Sequence, residues 1–199
     1  MLLGIVSDIH CNAAALTEAI ERMRAQVDDI IVAGDAVLQY RFSTEVVETI
    51  RREARGYVQG NHELALLASG GPALSRSGVS RQAVNFMAAA PLRFEIRIGR
   101  KKLVMVHACP FPPFNQYLYP GSPLLDKCAD IEADFLVLGH THVAMSTRTG
   151  RTLVVNPGGL GERGDPDHPG LVSYGVLDTV TEEFRVHRFR DPALPPPPR

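Results

Sequence analysis

The chain has 199 residues, 45% apolar and 22% charged, enough to bury a core without staples and in the range of a soluble globular protein. A net charge of −1 gives no electrostatic case for nucleic acid or an acidic membrane surface. With no basic N-terminal region and only a short apolar run there, neither a signal peptide nor a membrane span is expected, and three unpaired-looking cysteines (Cys11, Cys109, Cys128) fit a reducing cytoplasm.

In chain order, an apolar strand ends at Asp8 and leads to a helix with Leu16, Ile20, Met23 and Val27 at helical spacing. Residues 30–33 predict a second strand ending at Gly34-Asp35, and Ser43 is placed to cap a second helix that turns Val46, Val47 and Ile50 inward. Tyr57-Val58 reads as a short third strand ending at Gly60-Asn61-His62. This alternation predicts a largely parallel sheet with helices packed on it. After a helical, glycine-containing stretch over 64–90, residues 92–98 and 102–107 flank a turn and predict a hairpin leading to His107. Residues 135–138 form another buried strand, ending at Gly139-His140; 143–148 with 152–155, and 171–177 with 182–189, read as antiparallel strands. The sum is a mixed α/β protein with two sheets in one domain over 1–190, and the proline-rich segment 191–199 is expected to be a disordered tail.

Five of these segments share one design, an apolar strand running into a polar residue able to bind metal: Asp8-Ile9-His10, Gly34-Asp35, Gly60-Asn61-His62-Glu63, Val106-His107 and Gly139-His140-Thr141-His142. Five of the seven histidines fall there; only His168 and His187 do not. In open α/β sheets, sites collect beyond the carboxyl ends of the strands, so five such ends can converge. Residues i and i+2 of an extended chain point the same way, which lets Asp8 and His10 grip one ion. Carboxylate, carboxamide and imidazole donors suit Mn²⁺, Fe²⁺, Ni²⁺ or Zn²⁺. Seven candidate ligands (Asp8, His10, Asp35, Asn61, His107, His140, His142) exceed the need of one ion and suit two, about 3.5–4 Å apart, with one carboxylate bridging. The glycines at 34, 60 and 139 are expected to let the backbone turn sharply so that the next side chain enters the site.

The ordered set DIH…GD…GNHE…VHA…GHTH resembles the calcineurin-like metallophosphoesterase superfamily, and within it the small single-domain prokaryotic phosphodiesterases, over about residues 1–189. The resemblance implies a four-layer α/β/β/α sandwich with two mixed sheets and a dinuclear metal site at the strand C-terminal ends. It implies that Asp8, His10 and His142 hold the first metal, Asn61, His107 and His140 the second, and that Asp35 bridges. Manganese leads the candidate ions, water or hydroxide between the two metals is the implied nucleophile, and His62 is the implied general acid or charge stabiliser near the leaving oxygen, with Asn61 and His62 also contacting substrate. The implied reaction is hydrolysis of a small phosphate ester or nucleotide, a diester ahead of a monoester. A phosphomonoesterase or protein phosphatase of the same chemistry is the alternative, and a non-catalytic interaction scaffold of the same fold a further one. No membrane and no long nucleic acid is expected as a partner.

The chain departs from the usual pattern at Ala108-Cys109-Pro110, at Gly159 after Asn156-Pro157-Gly158, and in the apolar loop 36–41; none of these removes a ligand. Aromatics of the proline-rich segment 111–120, namely Phe111, Phe114 and Tyr117, are candidates for a substrate rim. Cys11 and Cys109 beside the site read as space-filling residues ahead of an extra soft ligand or a redox brake on activity. Arg41 and Arg163 could neutralise a phosphate but read as surface arginines, and Glu63 reads as a hydrogen-bonding partner in the helix start.

Overall fold

Two five-stranded sheets lie face to face in the computed structural model, which describes residues 1–70, 72–161 and 167–195. The first contains β1 (Leu2–Val6), β2 (Asp29–Val32), β3 (Ala54–Tyr57), β9 (Leu171–Asp178) and β10 (Glu183–Arg190), in the order β10-β9-β1-β2-β3. Its β1, β2 and β3 are parallel, and β9 runs antiparallel to both β1 and β10. The second is built from β4 (Arg93–Ile98), β5 (Lys101–Val106), β6 (Phe135–Val137), β7 (Met145–Thr149) and β8 (Thr152–Asn156), in the order β4-β5-β6-β8-β7. Here β5, β6 and β8 are parallel, flanked by antiparallel β4 and β7. Both sheets are therefore mixed, as expected.

The period-2 alternation of side chains divides each strand between two cores. Leu3 and Ile5 of β1, Leu103 and Met105 of β5, Phe135 and Val137 of β6, and Leu153 and Val155 of β8 fill the space between the sheets. The alternate residues face outward. Val6 and Val32 meet the helices α1 (Ala13–Met23), α2 (Thr44–Glu53), α3 (Asn61–Ala68) and α4 (Arg81–Ala89). Val104, Leu136 and Val154 meet a 3₁₀ helix, Pro123–Asp130, which brings Leu125 and Cys128. The layers are thus α/β/β/α, with the 3₁₀ helix as the thin fourth layer. Strands buried on both faces explain why they read as continuous apolar runs.

Ser43 caps α2 by accepting from the Val46 N–H, and Asn12 caps α1 by accepting from Ala15. Val27 lies beyond the end of α1 yet still packs on the same core. The stretch 64–90 resolves into most of α3 followed by α4, and α3 begins earlier than the sequence pattern suggests, so that Asn61 and His62 occupy its first turn. At the C-terminal end of the described chain, the Asp191 N–H donates to Gly170 O, and the Asp191 carboxylate accepts from Asn12 Nδ2 at 3.0 Å; residues 196–199 of the expected tail lie outside the described residues. Among the described residues no helix is long and apolar enough to cross a membrane.

Candidate metal centre

The chain reverses direction as it leaves β1, β2 and β6, and the residues that make these turns are the candidate ligands. Asp8 (φ 52°), His10 (49°), Asp35 (52°), His140 (68°) and His142 (59°) all adopt the left-handed conformation, which is uncommon for residues with a side chain and costs about 1–3 kcal/mol each. The expectation that preceding glycines would provide the turn is corrected here. Only Gly34 has positive φ (94°); Gly60 and Gly139 do not. What they supply is room. A Cβ at position 60 would lie 2.2 Å from Asp35 Oδ1, and one at position 139 would lie 2.0 Å from Ser7 Oγ and 2.9 Å from Asp8 Oδ2.

A hydrogen-bond frame holds these turns. Asp8 N–H donates to Gly34 O, His10 N–H to Asp35 O, and Cys11 N–H to Ala36 O. The His140 N–H donates to the Asp8 carboxylate (3.0 Å to Oδ2), and the His62 N–H to Asp35 Oδ1 at 2.9 Å. Glu63, fully buried, does more than serve the helix start: its carboxylate accepts from the amides of Asp35, Ala36, Val37 and Gly60 at 2.6–3.2 Å. It ties the loop after β2 to the start of α3.

All seven candidate ligands and His62 meet at one place between the two sheets. Among the described residues, three groups have candidate ligand atoms within 4.8 Å of one another: Asp8, His10 and His142; Asp35, His107 and His140; and His10, Asp35 and His62. His10 Nε2 faces His142 Nε2 at 3.1 Å, with Asp8 Oδ1 3.4 Å from the latter. His107 Nδ1 donates to Ala33 O at 2.7 Å, which leaves Nε2 as the lone-pair nitrogen of the neutral ring; that nitrogen lies 3.1 Å from both Asp35 Oδ2 and Asn61 Oδ1. His140 Nε2 reaches Asn115 O at 3.3 Å, leaving Nδ1 to the site. Gln39 N–H donates to His62 Nδ1 at 3.1 Å, so a neutral His62 carries its proton on Nε2, 3.9 Å from Asp35 Oδ2.

Clusters of lone pairs at such distances call for a cation, and the electrostatics agree. Burial drives His10 down to about 3, and burial with the nearby His107 drives His140 to about 4, so both are neutral at pH 7 and able to ligate. Burial also raises Asp8. For His107, burial acts downward, but the Asp35 charge and hydrogen bond outweigh it and lift the ring to about 10; the same pairing overcomes burial at Asp35 and lowers its carboxyl. In the protein alone a proton on His107 thus balances Asp35, standing where a cation's charge would fit. Burial and the Asp35 charge push Glu63 up to about 7. Among the described residues, His10 Nδ1 is buried without a hydrogen-bond partner, whereas its Nε2 faces His142 Nε2. The donor set fits divalent cations, and the two groups that each join both sheets fit a dinuclear centre.

The remaining candidates divide. Tyr117 stacks on the His140 ring (centroids 4.0 Å apart) and lines the roughly 370 Å³ cleft over the centre. Phe114, two-thirds exposed, lines a neighbouring cleft instead, and Phe111 packs half-buried against the outer core of the second sheet. Cys11 Sγ donates to Arg41 O and Cys109 is buried, both as space-filling residues would be. Arg41 is exposed at the edge of a third cleft, and Arg163 lies outside the described residues. Sequence reasoning missed Ala33, Gln39 and Asn115, whose backbone groups orient His107, His62 and His140. No side-chain identity marks such partners.

The calcineurin-like phosphoesterase superfamily domain matches residues 1–182. An uncharacterized protein of Methanocaldococcus jannaschii is 25% identical over 219 residues, covering 95% of this chain and 86% of its own. Among solved structures, a metallophosphoesterase from Sphaerobacter thermophilus superposes with a TM-score of 0.75 at 23% identity, over 94% of this chain and 87% of that one. An archaeal phosphodiesterase superposes with a TM-score of 0.64 at 21% identity, over 95% and 100%.

Proposed function

The chain belongs to the calcineurin-like phosphoesterase superfamily, and from that premise we propose that it is a dinuclear-metal phosphodiesterase acting on a small phosphate ester or nucleotide. The observation that carries the reading is the meeting of two metal-binding groups, each drawing residues from both sheets, beneath a cleft into which His62 presents Nε2. Asp8, His10 and His142 would hold one cation, Asn61, His107 and His140 the other, with Asp35 between them. Two bound divalent cations, Mn²⁺ foremost for this donor set, supply Lewis acidity that polarises phosphoryl oxygens and acidifies water.

The chain's own residues do the rest. The hydrogen bond from Gln39 fixes the His62 tautomer so that the Nε2–H points toward the site, where it can donate a hydrogen bond to the departing oxygen and stabilise its developing charge. The Glu63 frame keeps Asp35 and the first turn of α3 in register, so His62 and Asn61 hold their places relative to the bridging carboxylate. A cleft of about 370 Å³ lined by His10, Asp35, Asn61, His62, Tyr117 and His140 suits a small ester rather than a polypeptide. The fold shared with an archaeal phosphodiesterase supports the diester reading. The three cysteines, buried and not in disulfides, fit a reducing cytoplasm.

The test is hydrolysis of bis(p-nitrophenyl) phosphate beside p-nitrophenyl phosphate, using chelator-stripped protein before and after Mn²⁺ is restored. Metal-restored cleavage favouring the diester is expected. Faster cleavage of the monoester would reassign the chain as a phosphatase, and a folded protein that binds no metal would make it a scaffold.

A further inference from the structure

A second cleft, of about 600 Å³, opens beside the metal centre and shares a wall with it. Asn61, which lines the cleft over the centre, also lines this one, together with the candidate ligand His107. Away from that wall the character changes. Leu64 on α3, Leu92 ahead of β4, and Phe114 with Pro110 and Pro113 on the segment after β5 make the lining predominantly apolar. Leu64, Leu92 and Phe114 are 44%, 57% and 66% exposed, an unusual concentration of large apolar side chains in water.

Three of the polar side chains on the same wall are engaged, and the Asn115 side chain stands exposed at its rim. Gln59 Nε2 donates to Met87 O and Ala88 O, Asn61 Oδ1 faces His107 Nε2, and Arg93 donates to Glu95 at 2.7 Å. These groups are not aimed at the edge of a nucleobase. A nucleobase site needs placed donors and acceptors, whereas apolar walls with occupied polar groups discriminate by surface burial alone.

We propose that this cleft takes the ester group of the substrate, and that the group is an apolar alcohol, alkyl or aryl, held by Leu64, Leu92 and Phe114 while its phosphate lies at the metal centre. The assignment rests on the phosphodiesterase reading and narrows it: of the small esters the centre could cleave, those with a bulky apolar group are preferred to nucleotides. Leu64 and Leu92 select the substrate without touching the reacting atoms.

The experiment is a series of p-nitrophenyl alkyl phosphates, methyl to hexyl, with Mn²⁺-loaded protein, alongside calorimetric binding of methyl- and hexylphosphonate. In a half-open groove, each methylene should raise kcat/KM about twofold, or about 30-fold across the series, and hexylphosphonate should bind about 30-fold tighter than methylphosphonate. Both gradients should flatten in the double variant Leu64→Gln, Leu92→Gln, whose exposed positions tolerate polar residues, while its metal content, read by elemental analysis, stays as it was. Equal binding of the two phosphonates, or a gradient that survives the double substitution, overturns the proposal whatever the turnover. So does faster cleavage of thymidine 5′-phosphate p-nitrophenyl ester than of the hexyl ester, which would give the cleft to a nucleobase. If none of the esters is cleaved but the phosphonate gradient is present and lost in the variant, the apolar cleft stands and the diesterase reading fails.

Discussion

The two sheets bring different chemistry to the same place. The ends of β1 and β2 and the start of α3 deliver both carboxylates, Asp8 and Asp35, with His10, Asn61 and His62. The ends of β5 and β6 deliver only imidazoles, His107, His140 and His142. Their supports differ to match. Carboxylates need donors and are held by amides: His140 N–H on Asp8, His62 N–H on Asp35. Imidazoles need acceptors and are turned by carbonyls: Ala33 O on His107, Asn115 O on His140. The Asp8 clamp comes from the second sheet and the His107 clamp from the first, so one candidate ligand of each sheet is oriented by the other. The centre is a property of the sheets' docking, and neither sheet holds it alone.

The strongest way to break that division is to remove the one carboxylate common to two of the groups. Asp35→Asn keeps the shape and the contact to His62 N–H but leaves the imidazoles of the second sheet without the charge that balances a cation. Metal content, measured by elemental analysis, should fall from two ions to none and turnover to that of the chelated protein. Two tightly bound ions retained in the variant would refute the bridging role.

His62 belongs to the one group drawn entirely from the first sheet, with His10 and Asp35. If only groups that join both sheets hold metal, His62→Ala should leave metal content near normal and slow turnover by about 10²–10⁴, most for poor leaving groups. Loss of an ion instead would make His62 a ligand and enlarge the first sheet's share of the centre.

The candidate ligands are legible in the sequence because apolar strands ending in residues able to bind metal leave a linear trace, and the doubly buried strands and the Ser43 cap leave similar ones. What stayed hidden is what the linear pattern does not encode. Left-handed backbone at Asp8, His10, Asp35, His140 and His142 goes with hydrogen bonds between loops far apart in sequence, as from Asp8 N–H to Gly34 O, and the residue order does not encode those partners, so the turns are credited to the glycines beside them. The 3₁₀ helix Pro123–Asp130 is short and opens on a proline, which masks its periodicity. The three rim aromatics parted company because a proline-rich segment has no period from which to tell which way Phe111, Phe114 or Tyr117 faces.

Gly139 tests the docking of the sheets through stability. It follows β6 in the second sheet, yet a Cβ there would strike Ser7 Oγ and Asp8 Oδ2 of the first. Gly139→Ala should cost about 3 kcal/mol in a urea titration, by forcing the sheets apart at the site. Gly99→Ala, in the turn between β4 and β5, has φ 61° and nothing within 4 Å of its new Cβ, so only backbone strain of about 1 kcal/mol is expected. Equal costs would mean that close approach between the sheets is not what position 139 protects.

The smallest expected effect lies at Tyr117, which covers one of the second sheet's imidazoles. Its ring is more than half exposed, yet it stacks on His140 with an interplanar angle of 21°, covering a face of the ring whose edge meets the Asn115 carbonyl. Stacking of this kind is worth about 1 kcal/mol. Tyr117→Ala should therefore weaken the ion held by Asn61, His107 and His140 by about fivefold in a Mn²⁺ titration and leave the ion of Asp8, His10 and His142 unchanged, while Tyr117→Phe keeps both. Loss confined to one ion would show that the two sheets' contributions can be loosened separately. Equal weakening of both would show that the Asp35 bridge couples them more tightly than the separate supports of each sheet suggest.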